Sequence, residues 1–310
     1  MLAAFAAGSA LVACSSTPSA LPSVAPSRSL APAPTPKSTP TARGSVYYVS
    51  VGDSYAAGYQ PIKGGYIGHT TTAGFAYQLA ASATLRGQRL TLVNYGCSAI
   101  TSGALLQQKG CLKFLEGPGA PVYPEQTQSE AALAFIRAHR ARVGLVTVVI
   151  GGNDVAGCAR APDLVSCIRE KLPELKANLA TFLTQLRAAA GPDVLIVGVT
   201  YPDVLLGGDV SSEPLSRALA PESVAAFLYL LNPALKAGYD AIGATFVDVT
   251  AATGAYLPSS QTTNLAPYGT IPVSVARVCQ LTYFCELGDI HPRDNGYRQI
   301  ADLIAKTLPK

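Results

Sequence analysis

The residue types that acyl transfer requires are all present, and each stands in a run of small residues. Val46-Tyr47-Tyr48-Val49-Ser50-Val51 leads into Gly52-Asp53-Ser54. A serine there is a nucleophile only if a base and oxyanion donors come from elsewhere. Other apolar runs lead into Asn94-Tyr95-Gly96-Cys97-Ser98-Ala99 and Gly151-Gly152-Asn153-Asp154, and Gly288-Asp289-Ile290-His291-Pro292 lies near the C-terminus. Asn153 brings an amide NH₂ past a Gly-Gly turn, and His291 brings a base. Alone, Gly-Asp-Ser reads equally well as a cap on the next helix. Of the other two histidines, His139 ends a helical stretch and reads as a dipole partner. His69, in a Gly- and Thr-rich loop, reads as a surface residue.

These groups meet only if several strands end at one edge of a sheet. Val46–Val51, Leu90–Asn94, Leu145–Ile150, Val194–Val199 and Ala244–Val249 are apolar nearly throughout, as strands buried on both faces are. Helical patterns run over Gly74–Ala83, Gln128–His139, Ile168–Ala190 and Gly296–Lys306. Another lies within Glu213–Ile242, where Pro221 and Pro233 are expected to interrupt it. The alternation predicts an α/β three-layer α/β/α sandwich, flavodoxin-like, with a central parallel sheet of about five strands. Ligands bind at the C-terminal edge of such sheets. The α/β-hydrolase fold is the competing reading. Its Gly-x-Ser-x-Gly elbow is broken here, where Gly52-Asp53-Ser54-Tyr55-Ala56 lacks the last glycine.

In these four segments, taken in order, the chain resembles the SGNH hydrolases, the GDSL esterase/lipase superfamily. The paired cysteines and the ending Ile290-His291-Pro292-Arg293-Asp294-Asn295-Gly296-Tyr297 are similar to its secreted actinobacterial branch. The resemblance implies that Ser54 is the nucleophile and that its own N–H is an oxyanion donor. It implies His291 as base and the Asn153 amide as a second donor. The third donor is normally a glycine N–H. Ala99 stands there and keeps the N–H, with Gly96 as the alternative. The family's acid usually precedes the histidine by three residues, which is Gly288 here. Asp289 is one later, and residues i and i+2 of an extended loop share a side, so Asp289 is assigned as the acid. A backbone carbonyl around Glu286–Gly288 is the alternative means of orienting His291. Asp294 reads as an N-cap of the last helix.

The implied activity is an extracytoplasmic serine esterase or lipase that cleaves carboxylic esters through an acyl-enzyme. The alternatives are an O-acetyl esterase or acyltransferase on envelope glycans, or a binding lipoprotein without turnover. No cofactor is implied, whether metal or organic. The partner is an acyl ester, lipids among the candidates, and the protein is expected to be a monomer. The net charge of +4 is scattered, with no basic stripe for nucleic acid.

Residues 1–14 read as a signal peptide whose Leu11-Val12-Ala13-Cys14 resembles a lipobox, with Cys14 the lipidated residue and the membrane reached through that anchor. Residues 15–44, rich in Ser, Pro and Thr, read as a disordered tether. Residues 45–310 form the hydrolase domain. With Cys14 set aside, six of the seven cysteines remain, an even number behind an export signal. Of the fifteen pairings, the local set Cys97–Cys111, Cys158–Cys167 and Cys279–Cys285 is the simplest.

Overall fold

The computed structural model describes residues 44–64 and 67–310. The expected signal, lipobox and tether, up to Arg43, lie outside the described residues. Six strands form the main sheet: β1 (Ser45–Gly52), β2 (Thr84–Leu85), β3 (Gln88–Asn94), β4 (Val143–Val149), β5 (Leu195–Val199) and β6 (Thr245–Val247). Their order is β2-β3-β1-β4-β5-β6. Five are parallel, and β2 pairs antiparallel with β3. The sixth strand exceeds the expected count because β2 is two residues long, too short to register as an apolar run. The parallel register sets Ser50 beside Asn94 and Gly52 beside Val149. The chain therefore leaves β1, β3 and β4 at one edge.

The main helices are α1 (Ser54–Ala57), α2 (Phe75–Ser82), α3 (Ser102–Gln107), α4 (Gln128–Ala138), α5 (Gly152–Val155), α6 (Leu164–Ala190), α7 (Pro214–Ala226), α8 (Asn232–Asp240) and α9 (Asp294–Ala305). Successive strand side chains point to opposite faces. Tyr48, Leu145 and Val149 pack with Phe75 and Leu79 of α2 and Ile300 and Ile304 of α9. Val49, Val51, Val146 and Val148 pack with α4, α6 and α8 on the other face. Full burial of one such aliphatic side chain contributes roughly 1.5–3 kcal/mol, so these two interfaces hold the three layers together.

Local signals set the helix ends. Thr127 and Glu130 form a capping box at the start of α4. Asp163 accepts from the Ser166 N–H and starts α6 four residues before the expected Ile168. Leu164, Ile168, Leu172, Leu175, Leu179 and Leu186 then recur at helical spacing on its buried side. The expected interruption between Glu213 and Ile242 does not occur. α7, a π-helical turn at Phe227–Leu231 and α8 run on continuously. Pro233 stands directly after the π-helical turn inside this continuous helix, where it removes one backbone bond without ending the helix. Pro221 loses one backbone bond, but the buried Leu219, Ala220 and Ser223 around it hold the helix by tertiary packing. Among the described residues, only Pro214–Asp240 is long and apolar enough to cross a membrane by composition. Its buried side packs instead on α6, the place of a core helix.

Candidate active site

Gly52 ends β1 with φ +141°, and a Cβ there would lie 1.9 Å from the Val149 carbonyl oxygen. Only glycine lets β1 turn this close to β4. The buried Gln128, at the start of α4, grips both backbone groups of Gly52. Its Oε1 accepts from the Gly52 N–H at 3.1 Å and its Nε2 donates to the carbonyl at 2.9 Å. Asp53 follows, and its Oδ1 accepts from the Tyr55 N–H at 3.0 Å, capping α1. The cap reading of Gly-Asp-Ser therefore holds for Asp53, while Ser54 opens α1 and faces the site. Its N–H lies in the first helical turn, where amide groups have no partner within the helix.

Ser54 is 6% exposed. Its Oγ lies 2.8 Å from His291 Nε2. On the other side of the ring, Nδ1 lies 2.8 Å from Asp289 Oδ1. Burial raises the Asp289 carboxyl, but the hydrogen bonds and charge of His291 outweigh it and hold the group below the ordinary carboxylate value. The loop is anchored from both sides. Tyr55 Oη donates to the Ile290 carbonyl at 2.6 Å, and the His291 carbonyl accepts from the Tyr283 N–H at 3.0 Å. The Tyr59 ring sits 4.5 Å from the imidazole.

Asn153 lies in α5, just beyond β4. Its Nδ2 donates to the Ile100 carbonyl at 2.9 Å, which orients the amide and leaves its second N–H. Next to it, the Asp154 carboxylate accepts from the Ser102 N–H at 2.9 Å and from its hydroxyl, tying α5 to α3. Ala99 adopts φ +67°, the left-handed conformation that a glycine would take freely. The Gly96 N–H donates to Asn94 Oδ1 at 2.9 Å, so this alternative donor is already engaged. Asp294 is not the cap of α9. It is the first helical residue, and its Oδ1 accepts from Gln60 Nε2 at 2.8 Å.

Beside Ser54 and Asn153 opens a cleft of about 120 Å³. Its inner wall is aliphatic and aromatic: Leu164, Ile168, Val204, Leu205, Phe227 and Leu231. Three disulfides are formed, Cys97–Cys111, Cys158–Cys167 and Cys279–Cys285. The second joins the 3₁₀ turn Ala156–Arg160 to the first turn of α6, and both contribute to the cleft wall.

The remaining histidines lie elsewhere. His69 is exposed in a short strand. His139 caps α4 and stacks on Phe135 at 4.2 Å. Tyr123 is buried against Tyr95 and does not line the cleft.

Sequence reasoning missed Tyr201, whose hydroxyl lies 2.5 Å from Asp53 Oδ2 and accepts from the Gly152 N–H at 3.1 Å. The signal was its place, two residues beyond β5 at the same sheet edge. Asp53 itself is 1% exposed. Burial pushes its carboxyl up to about 7, against the lowering effect of Tyr201 and the Tyr55 N–H.

The arrangement can attack a carbonyl, move a proton and hold an oxyanion. Residues 50–299 match the family model of the GDSL-like lipase/acylhydrolase family. No curated protein matches significantly in sequence. Among solved structures, the extracellular lipase from Streptomyces rimosus is similar over 84% of this chain and 99% of that one, at 18% identity and a TM-score of 0.51. The M. smegmatis aryl esterase (13% identity, TM-score 0.47) covers 84% of this chain and 97% of its own. The carbohydrate acetylesterase Est24 from Sinorhizobium meliloti (15%, 0.47) has the same coverage. With the family model covering most of the chain, and the serine and histidine blocks meeting in one site, the protein belongs to the GDSL-like lipase/acylhydrolase family and is a hydrolase of ester bonds.

Proposed function

We propose that the protein hydrolyses carboxylic esters with an aliphatic or aryl acyl group, through an acyl-enzyme on Ser54. His291 Nε2 takes the Ser54 proton as Oγ attacks the carbonyl carbon. Asp289 holds Nδ1 and stabilises the imidazolium that forms. The Ser54 N–H, the Ala99 N–H and the Asn153 amide donate to the oxyanion. His291 then protonates the leaving alcohol. Water, deprotonated by His291, attacks the acyl-enzyme and frees the acid.

The observation that carries this reading is the 2.8 Å approach of Ser54 Oγ to His291 Nε2 at the mouth of an apolar cleft. An acetyl group has no need of Leu164, Ile168, Phe227 and Leu231, whereas a longer acyl chain gains roughly 0.8 kcal/mol for each methylene buried there. The cleft thus favours longer acyl groups over the O-acetyl alternative. The test is labelling of Ser54 by a fluorophosphonate, with kcat/KM measured over nitrophenyl esters of rising chain length. Loss of labelling in Ser54→Ala, with kcat/KM rising beyond acetyl, supports the reading. Labelling that persists in Ser54→Ala refutes the nucleophile, and a maximum at acetyl refutes the acyl assignment.

Residues 45–310 are the catalytic domain in this reading, acting outside the cytoplasm. Three disulfides support export, since such bonds persist in oxidising compartments. The lipobox-like Leu11–Cys14 supports a lipid anchor on a tether. Cys14→Ala is expected to release the protein into the medium, and unchanged membrane fractionation would refute the anchor.

A further inference from the structure

One hydroxyl touches both turns that form the site. Tyr201 Oη lies 2.5 Å from Asp53 Oδ2 and 3.1 Å from the Gly152 nitrogen. Asp53 directly precedes Ser54 and caps its helix. Gly152 directly precedes Asn153 and opens α5. The Gly152 N–H can only donate, so the hydroxyl accepts from it and its single proton goes to Asp53.

We infer that Tyr201 is a positioning residue, whose hydroxyl sets the distance between the Ser54 nucleophile and the Asn153 oxyanion donor by bonding to the residue before each. This rests on the roles proposed above for Ser54 and Asn153.

The surroundings make this bond a stiff one. Tyr201 is 7% exposed, and its ring stands edge-on to Tyr55 at 5.0 Å. A Cβ on Gly152 would approach the Tyr201 ring at 2.8 Å, so the glycine admits the phenol to its place. The Tyr201 carbonyl accepts from Thr250 Oγ1 at 2.7 Å, fixing the backbone from behind. Burial, foremost, and the neighbouring Asp53 push the phenol well above its ordinary pKa, so it stays a neutral donor at working pH. Asp53 is 1% exposed, and its carboxylate bonds to Tyr201 and to the Tyr55 N–H. Displacement of a donor by a fraction of an ångström weakens its hold on the transition state more than its hold on the substrate.

The test is Tyr201→Phe, which keeps the ring and removes the link. It is measured on an acetyl and an octanoyl nitrophenyl ester, with Ser54→Ala as control. The expected result is a kcat lower by roughly tenfold, the worth of one such hydrogen bond. The factor should be equal on both esters, KM should hold within about twofold, and fluorophosphonate labelling should slow in parallel. A fall confined to KM of the octanoyl ester would make Tyr201 a mere wall of the cleft and overturn the inference. So would an unchanged kcat with a lower melting temperature. A second variant, Asp53→Asn, guards against a folding defect. If Tyr201 acts through Asp53, the kcat losses of the double variant are less than multiplicative, and independent losses overturn the inference. Activity surviving in Ser54→Ala would instead refute the nucleophile and leave the Tyr201 geometry to another reaction.

Discussion

A single oxygen, Asp289 Oδ1, accepts from the backbone N–H of His291 at 2.9 Å and lies 2.8 Å from its ring Nδ1. The carboxylate thus reads both ends of one residue, which a spacing of two permits. Asp289→Asn is expected to lower kcat by roughly 10² or more, since an amide favours the wrong imidazole tautomer. Ser54→Ala and His291→Ala should abolish hydrolysis. Asp294→Asn, at a carboxylate that bonds to Gln60, should leave kcat within about threefold of wild type. Steady-state kinetics of the four variants decide it. An Asp289→Asn enzyme as fast as Asp294→Asn would remove Asp289 from the catalytic set.

Ala99 holds a left-handed backbone that a Cβ makes costly, by about 1–2 kcal/mol. Ala99→Gly is expected to relieve that strain, offset in part by the greater freedom of glycine in the unfolded chain. The net gain is about 0.5 kcal/mol, and kcat should hold because the N–H is kept. Ala99→Val should lower both stability and kcat. Chemical denaturation and ester kinetics on the pair test this, and a large loss of kcat in Ala99→Gly would count against the donor role.

Asp203 is fully buried, and burial pushes its carboxyl up to about 7 against the Ser223 hydroxyl and the amides of Leu205 and Leu206. Its folded pKa lies above the unfolded value of 3.8, so the folded state binds more protons between the two values. Its contribution to stability is complete below about pH 4 and is lost as pH rises through about 7. Asp203→Asn removes that loss. The melting temperature of the variant minus that of wild type is expected to rise from pH 4 to pH 7.5. Asp53 has the same sign of shift and is common to both proteins, so it cancels. A difference independent of pH would mean that Asp203 does not titrate in this range.

The Cys158–Cys167 bond clips two segments of the cleft wall together across a separation of nine residues. Cys158→Ala with Cys167→Ala should cost roughly 2–3 kcal/mol of stability. KM should rise for octanoyl esters and stay nearly constant for acetyl esters, because only the longer chain reaches that wall. Equal changes on both substrates would show a general loosening instead.

What could be read from the sequence follows from the range of each interaction. The long parallel strands are legible because burial on both faces makes them apolar throughout. Ser54, Asn153 and His291 are legible because each stands in small residues at a strand end or loop. β2, at two residues, is too short to carry an apolar pattern. Pro221 does not break the helix, because the breaking rule holds for an isolated helix without the packing of Leu219 and Ser223. Gln128 and Tyr201 act on Gly52 and Asp53 across 76 and 148 residues. Their partners are set by the order of strands in the sheet, and no local spacing carries that order.

The three disulfides join the first cysteine of the domain to the second, the third to the fourth and the fifth to the sixth. No bridge encloses another or crosses it. An oxidant that met these six thiols in chain order would therefore pair each with its native partner. Each pair could then close before the next emerged, and pairing in that order calls for no exchange between bridges.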